Sequence, residues 1–188
     1  MGLTIDQTTP YAWPYDGDLV PARTALLVVT PGVGPAVEGT LVARRVDAIA
    51  TWLKLVGGTV IQVVTVPPAH DPAGTAATAF PLSDWTIRSQ GIDGFYGSGL
   101  DPLLRRHGLD QLLLAGVGLE TCIHSSMRSA NDRGYECLLV LDACLPYDDS
   151  LVASARSQVE MSGGIFGAVG STEHVLAALA AHQEGTTT

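Results

Sequence analysis

Cationic side chains are scarce in this sequence: 10 lysines and arginines stand against 19 aspartates and glutamates, for a formal net charge of −9. The arginines are scattered or occur as the pairs Arg44/Arg45 and Arg105/Arg106. Neither arrangement makes the basic stripe that a polyanion requires, so no nucleic-acid partner is expected. Long apolar runs are also missing. Ala25 to Val29 and Leu138 to Leu141 are typical, far below the roughly 20 residues that cross a bilayer, so no membrane partner is expected either. The opening segment MGLTIDQTTPYAWPYDGD carries acids where a leader carries basic residues and has no apolar stretch. A cytoplasmic location is therefore the expectation. The cysteines, Cys122, Cys137 and Cys144, form no C-x-x-C pair and leave an odd count, which argues against a disulfide framework and a zinc ribbon.

What is abundant is apolar surface. Hydrophobic residues make up 46% of the 188 and charged residues 15%, enough for one sizeable core, with room for a subunit contact. We expect one domain over residues 1–188, with 1–23 as an N-terminal arm and 183–188 as a flexible tail. From Thr24 the chain alternates β-branched runs with helical patterns: TALLVVT, a helix, TVIQVVTV, a long loop, a short helix, QLLLAG, a helix, ECLLVLD and two more helices. Near-continuous apolar strands separated by helices predict a three-layer α/β/α sandwich around a mostly parallel sheet.

Spacing supports the first helix: Val42, Val46, Ile49 and Leu53 recur at steps of four, three and four, and Gly57 and Gly58 end it. Later helices are expected from near Thr121 to Gly134, from near Ser150 to Gly163/Gly164, and from about Thr172 to His182. The stretch from Pro67 to Gly99 is long for a connection within a compact domain, which marks it as a lid or wall. It contains Trp85, Phe95 and Tyr96, candidate pocket-lining aromatics, as is Tyr147 further on.

The segment from Leu112 to Asp149 is the most informative. A buried strand runs into Gly116-Val117-Gly118, and a helix then begins with Cys122 in its first turn. Unpaired N–H groups and the helix dipole favour an anion there, which is expected to move the thiol from about 8.5 toward 7 and to offer donors to an oxyanion. The alternative is a small apolar residue packed under the sheet. Cys137 and Cys144 have no such setting and read as structural.

Strand, glycine turn, cysteine at a helix start, Arg128, Ala130, DRGYE and LDAC follow one another in an order that resembles the isochorismatase-like cysteine hydrolases. That family includes nicotinamidases, carbamoylsarcosine and biuret amidohydrolases, and ureidoacrylate hydrolases. YAWPYDGDLVPARTALLVV resembles the entry segment of its biuret and ureidoacrylate branch; GFYGSGLDPLLRRHGLDQLLLAGV and FGAVGSTEHVLAAL also resemble it, so the likeness spans nearly the whole chain. The resemblance implies a cysteine nucleophile, Cys122, attacking an amide or ureido carbonyl with help from an Asp and a Lys. It also implies a cis Val117–Gly118 bond and an oxyanion hole from N–H groups near Gly118 and Cys122, with Gly118 and Leu119 as substrate-binding candidates. Thr30 occupies the Asp position, and the Lys position falls at or near Ser89, with Arg88 beside it.

A positioned acid–base group is worth about 10²- to 10⁴-fold in rate, so substitution of both partners matters. Glu120, Asp84 and Asp93 are candidate replacements, each also explained as a helix cap or solvated acid. His124, two residues after Cys122, points away from it on a helix. Nicotinamidases hold a metal after the second strand; here VPPAHD supplies only His70 and Asp71, so no metal is expected. Gly32, Gly34 and Gly39 do not match G-x-G-x-x-G, so no nucleotide cofactor is expected. Two functions follow from these residues. One is a cysteine-dependent hydrolase of a small amide, ureide or imide. The other is a repurposed scaffold: a lyase, isomerase or cyclase, or a silent binding protein. The resemblance also implies a homodimer or homotetramer.

Overall fold

A computed structural model describes residues 3–34, 37–66 and 80–186. Strands β1 (Thr24–Pro31), β2 (Thr59–Thr65), β3 (Trp85–Arg88), β4 (Gln111–Val117), β5 (Glu136–Leu145) and β6 (Ala168–Gly170) form one sheet in the order β3-β2-β1-β4-β5-β6. Every neighbouring pair is parallel. The helices are α1 (Leu41–Leu55), α2 (Leu100–His107), α3 (His124–Asp132), α4 (Val152–Glu160) and α5 (Thr172–Thr186).

Side-chain alternation divides each central strand between two cores. Ala25, Leu27, Val29, Leu112 and Leu114 face α2, α3 and α4, meeting Leu104, Met127 and Val159. Leu26, Val28, Leu113 and Ala115 face α1 and α5, meeting Val46, Ile49, Leu53, Val175 and Leu179. Each such fully buried leucine contributes about 1.5–3 kcal/mol. With both faces covered, the sheet is the middle layer of the expected three-layer sandwich.

Thr40 caps α1 by accepting the Ala43 N–H at 3.2 Å, and Gly57, at φ +91°, ends it. Two strands were not anticipated. The four residues of β3 sit within the stretch read as a loop, and β6 has only three residues. Helix α5 continues past His182 to Thr186, so the expected tail is helical over most of its length. The N-terminal arm is anchored: Ile5 and Trp13 are fully buried and pair by Ile5 N–H to the Trp13 carbonyl at 2.7 Å, while Thr9 pairs with Val169 of β6. Among the described residues no helix is long and apolar enough to cross a membrane. His70 and Asp71, with the first part of the Pro67–Gly99 stretch, lie outside the described residues.

The strand order reverses between β1 and its neighbours β2 and β4. In open parallel sheets the crevice beyond the carboxyl ends of the strands at such a switch is where ligands bind. Thr30, Thr65 and the turn after Val117 all lie at that edge.

Candidate functional site

Two glycines shape the approach to Cys122. Gly116, at φ +129°, lets β4 press against β1: a Cβ there would stand 2.0 Å from the Val29 carbonyl oxygen. Gly118, at φ +81°, turns the chain into a wide π-type turn over Leu119–Ile123, where a Cβ would meet Cys122 Sγ at 2.7 Å, Thr121 Oγ1 at 2.8 Å and the Tyr147 ring at 3.0 Å. The expected cis Val117–Gly118 bond is absent. Cis peptides in the described residues are Thr9–Pro10 and Trp13–Pro14, and the turn is made through the left-handed glycine.

Cys122 is only 2% exposed. Its thiol donates to the Val117 carbonyl at 2.9 Å, with the Gly118 carbonyl at 3.7 Å. The Thr65 and Thr121 hydroxyls and the N–H groups of Cys122 and Ile123 lie close enough to favour its anion, although Thr121 Oγ1 and the Ile123 N–H donate to the Gly118 carbonyl at 3.3 and 3.1 Å. Burial outweighs them, and the thiol is pushed up, not down as the helix-start argument predicts. Helix termini lower a thiol only where the sulfur keeps enough solvent, and this one is sealed. Cys137 and Cys144 are buried within β5 and pushed up further, consistent with structural roles.

The anion notch also differs from expectation. The Gly118 N–H donates to the Leu145 carbonyl at 2.8 Å and the Ile123 N–H to the Gly118 carbonyl at 3.1 Å, which leaves the Cys122 N–H as the uncommitted backbone donor beside the sulfur. Leu119 is fully buried and opens the turn.

Around this centre the structure gathers hydroxyls. Thr30, buried at the end of β1, receives the Gln62 amide on Oγ1 at 3.4 Å. Its carbonyl lies 3.4 Å from the Thr65 hydroxyl, whose single proton serves either that oxygen or the sulfur. Ser89, just beyond β3, is buried and donates to the Gly91 carbonyl at 2.8 Å, pinning its own loop. Ser126 donates to the Cys122 carbonyl at 2.7 Å and receives the Gly94 N–H at 2.9 Å, fastening that loop to α3. Tyr147, 51% exposed, borders the site; burial first, then the Cys122 and Glu120 charges, raise its phenol. Thr65 and Thr121 were missed by sequence reading. A threonine ending an apolar strand looks like strand filler, and only the β2–β1–β4 adjacency brings it to the sulfur.

The substitute acids are committed elsewhere. Asp84 lies at the opposite end of the sheet, paired with Lys54 and accepting the Val60 N–H at 2.9 Å. Asp93 accepts the Phe95 N–H at 2.9 Å within its own turn. Glu120 holds the loop after β5, accepting the Tyr147 and Asp148 N–H groups at 2.8 and 2.9 Å through Oε1. The aromatics are displaced too. Trp85 opens β3 at the far end and packs on His107, with ring centres 4.6 Å apart. Phe95 is core, tilted against Tyr135. Tyr96 is 63% exposed, and Arg88 is exposed on the edge strand. Among the described residues no group of three or more His, Cys, Asp or Glu is placed to hold a metal.

Comparison with known proteins fits this architecture. The isochorismatase domain pattern matches residues 39–173. The chain is 32% identical over 66 residues to the uncharacterized isochorismatase family protein YwoC of Bacillus subtilis, covering 35% of each. It is 34% identical over 73 residues to the uncharacterized isochorismatase family protein YecD of Escherichia coli O157:H7, covering 39% of this chain and 37% of that one. The chain thus spans little more than a third of the length of these curated relatives. In fold it is similar to a cysteine hydrolase of Pseudomonas syringae (TM-score 0.71, 18% identity, 87% of this chain and 95% of that one). It is likewise similar to an N-carbamoylsarcosine amidase of Thermoplasma acidophilum (TM-score 0.63, 20% identity, 80% and 96%). With the domain pattern covering most of its length, the chain belongs to the isochorismatase family.

Proposed function

We propose that Cys122 is the nucleophile of a slow C–N hydrolase acting on a small amide, ureide or imide, with its thiolate formed by solvent hydroxide instead of an internal base. The carrying observation is the polar surround of the sulfur at the switch point of the sheet: the Cys122 N–H, and the Thr65 and Thr121 hydroxyls and Ile123 N–H close by, which donate to the Thr30 and Gly118 carbonyls. These donors suit a thiolate and the oxyanion that follows its attack. The thiolate adds to the carbonyl, the C–N bond breaks with water protonating the departing amine, and a second water hydrolyses the thioester. The fold shared with an N-carbamoylsarcosine amidase supports the substrate class. We propose no role in proton transfer for Asp84, Asp93 or Glu120, whose carboxylates hold other groups.

A second reading, a binding protein or non-hydrolytic catalyst on the same scaffold, is favoured by the neutral hydroxyls at Thr30 and Ser89, which make internal hydrogen bonds. A panel of small amides, ureides and imides assayed at alkaline pH separates the two. Turnover that disappears in Cys122→Ala supports the hydrolase, and turnover unchanged in that variant removes Cys122 from the chemistry. We also propose one domain that self-associates as a homodimer or homotetramer, supported by the exposed Met161 and Ile165 side chains. A monomeric mass by light scattering contradicts that assembly.

A further inference from the structure

A Cβ built on Gly118 would stand 2.7 Å from Cys122 Sγ and 3.0 Å from Cε2 of the Tyr147 ring. Ring edge and sulfur therefore flank the same small space, the one that a side chain at position 118 would fill. Gly118 is buried and Cys122 is 2% exposed, yet Tyr147 is 51% exposed. The ring has the glycine turn beneath it and solvent above it, so it forms a cover one side chain thick. The backbone that carries it is fixed. The Tyr147 and Asp148 N–H groups donate to Glu120 Oε1 at 2.8 and 2.9 Å, and the Asp148 carboxylate accepts the Ser150 N–H at 2.9 Å and the Ser150 hydroxyl at 2.7 Å. The ring itself is untied: among the described residues its hydroxyl makes no hydrogen bond.

We propose that Tyr147 is the specificity gate of the Cys122 site, its ring covering the sulfur when it lies on Gly118 and, swung outward, setting the width of the acyl group that can approach. The inference rests on Cys122 as the reactive atom, as proposed above. A sealed thiol attacks nothing until one of its walls moves. Val117 and Thr65 belong to strand ends and Thr121 to the turn itself, and shifting any of them disturbs the sheet or the turn. Tyr147 can leave by rotation about its first side-chain bond, breaking no polar contact, and exposed side chains change rotamer within nanoseconds. Glu120 is then a positioning residue: its carboxylate holds the pivot of the gate. A wider acyl group needs the ring further out, in a less populated arrangement, so the gate selects by width.

The test is alkylation of each cysteine in the folded full chain at about pH 9, past the ordinary thiol midpoint, read by peptide mass spectrometry with iodoacetamide and with its wider N-benzyl derivative. Relative to free cysteine, the wider reagent should be the slower one at Cys122. Minor open states are commonly populated at about 10% or less, so Tyr147→Ala, which makes the open form dominant, should raise the iodoacetamide rate at Cys122 about tenfold or more. The N-benzyl reagent should gain more still. Tyr147→Phe keeps the ring and should leave both rates unchanged. Cys137 and Cys144, buried within β5, should stay unlabelled throughout, as an intact fold requires. If Tyr147→Ala loses that protection, Tyr147→Leu decides by the same comparison. An unchanged Cys122 rate without the ring, an equal gain for both reagents, or the same gain in Tyr147→Phe overturns the proposal. Alkylation reads access to the sulfur and needs no amide turnover, so a chain that hydrolyses nothing ends the hydrolase reading and leaves the gate standing.

Discussion

At the N-terminal ends of the strands, charges come in pairs: Arg23 with Asp110, and Lys54 with Asp84, while the Gln111 side chain ties together Asp18, Val20 and Thr24. At the carboxyl ends the side chains include Thr30, Thr65 and, on the edge strand, Ser89, with Thr121 beside Cys122, and these offer hydroxyls. The same sheet therefore carries ion pairs at the amino ends of its strands and hydroxyl donors at the carboxyl ends beside the cysteine. Acids that sequence reading offered as catalytic replacements are structural ties, and the thiol depends on hydroxyl and N–H groups to carry negative charge.

The comparison breaks most severely if the hydroxyl-bearing end is physically displaced. Gly116→Ala puts a Cβ into the Val29 carbonyl at a left-handed φ, and should cost on the order of 4 kcal/mol by denaturant unfolding, or prevent folding. Next in size is the gift of a charge to the hydroxyl-bearing end. Thr30→Asp should speed acylation of Cys122 by an activated ester at pH 7 by about 10²-fold, the low end for a positioned base. An unchanged rate would mean that the β1 terminus does not reach the chemistry.

The buried thiols give the comparison a pH dependence. Cys122, Cys137 and Cys144 are all raised, chiefly by burial, so each favours the folded state while protonated. Their contribution is complete below the unfolded thiol range near pH 8.5 and is lost as pH climbs through the higher folded values. Urea midpoints should fall from about pH 9 upward, and a midpoint that rises there contradicts the burial. The smallest effect belongs to the ion pairs at the amino ends. Asp84→Asn breaks a half-exposed ion pair with Lys54 but keeps an acceptor for Val60, and should change stability by less than about 1 kcal/mol without altering Cys122 reactivity.

Much of this was legible in the residues themselves. Doubly covered strands announce themselves as apolar runs, and Gly116-Val117-Gly118 before Cys122 identified the turn and its centre. Other features depend on distances the chain does not display. Trp85–Arg88 alternates half-buried and exposed at a sheet edge, and without a buried face it reads as loop. Asp84 meets Lys54 across 30 residues, so its use as a tie was invisible. The direction of the thiol shift was misread because a helix start says what surrounds a sulfur but not how deeply it is sealed.

A thiol that stays protonated at neutral pH, amid donors and without a base, is the centre of this site. Its most direct test is the rate of Cys122 alkylation by iodoacetamide, read site by site in mass spectra across pH 6 to 10.5. We predict a rate that is low at pH 7 and still climbing beyond about pH 9, the ordinary thiol range having been passed without a plateau. A plateau already reached by about pH 7.5 would show an activated thiolate and contradict it.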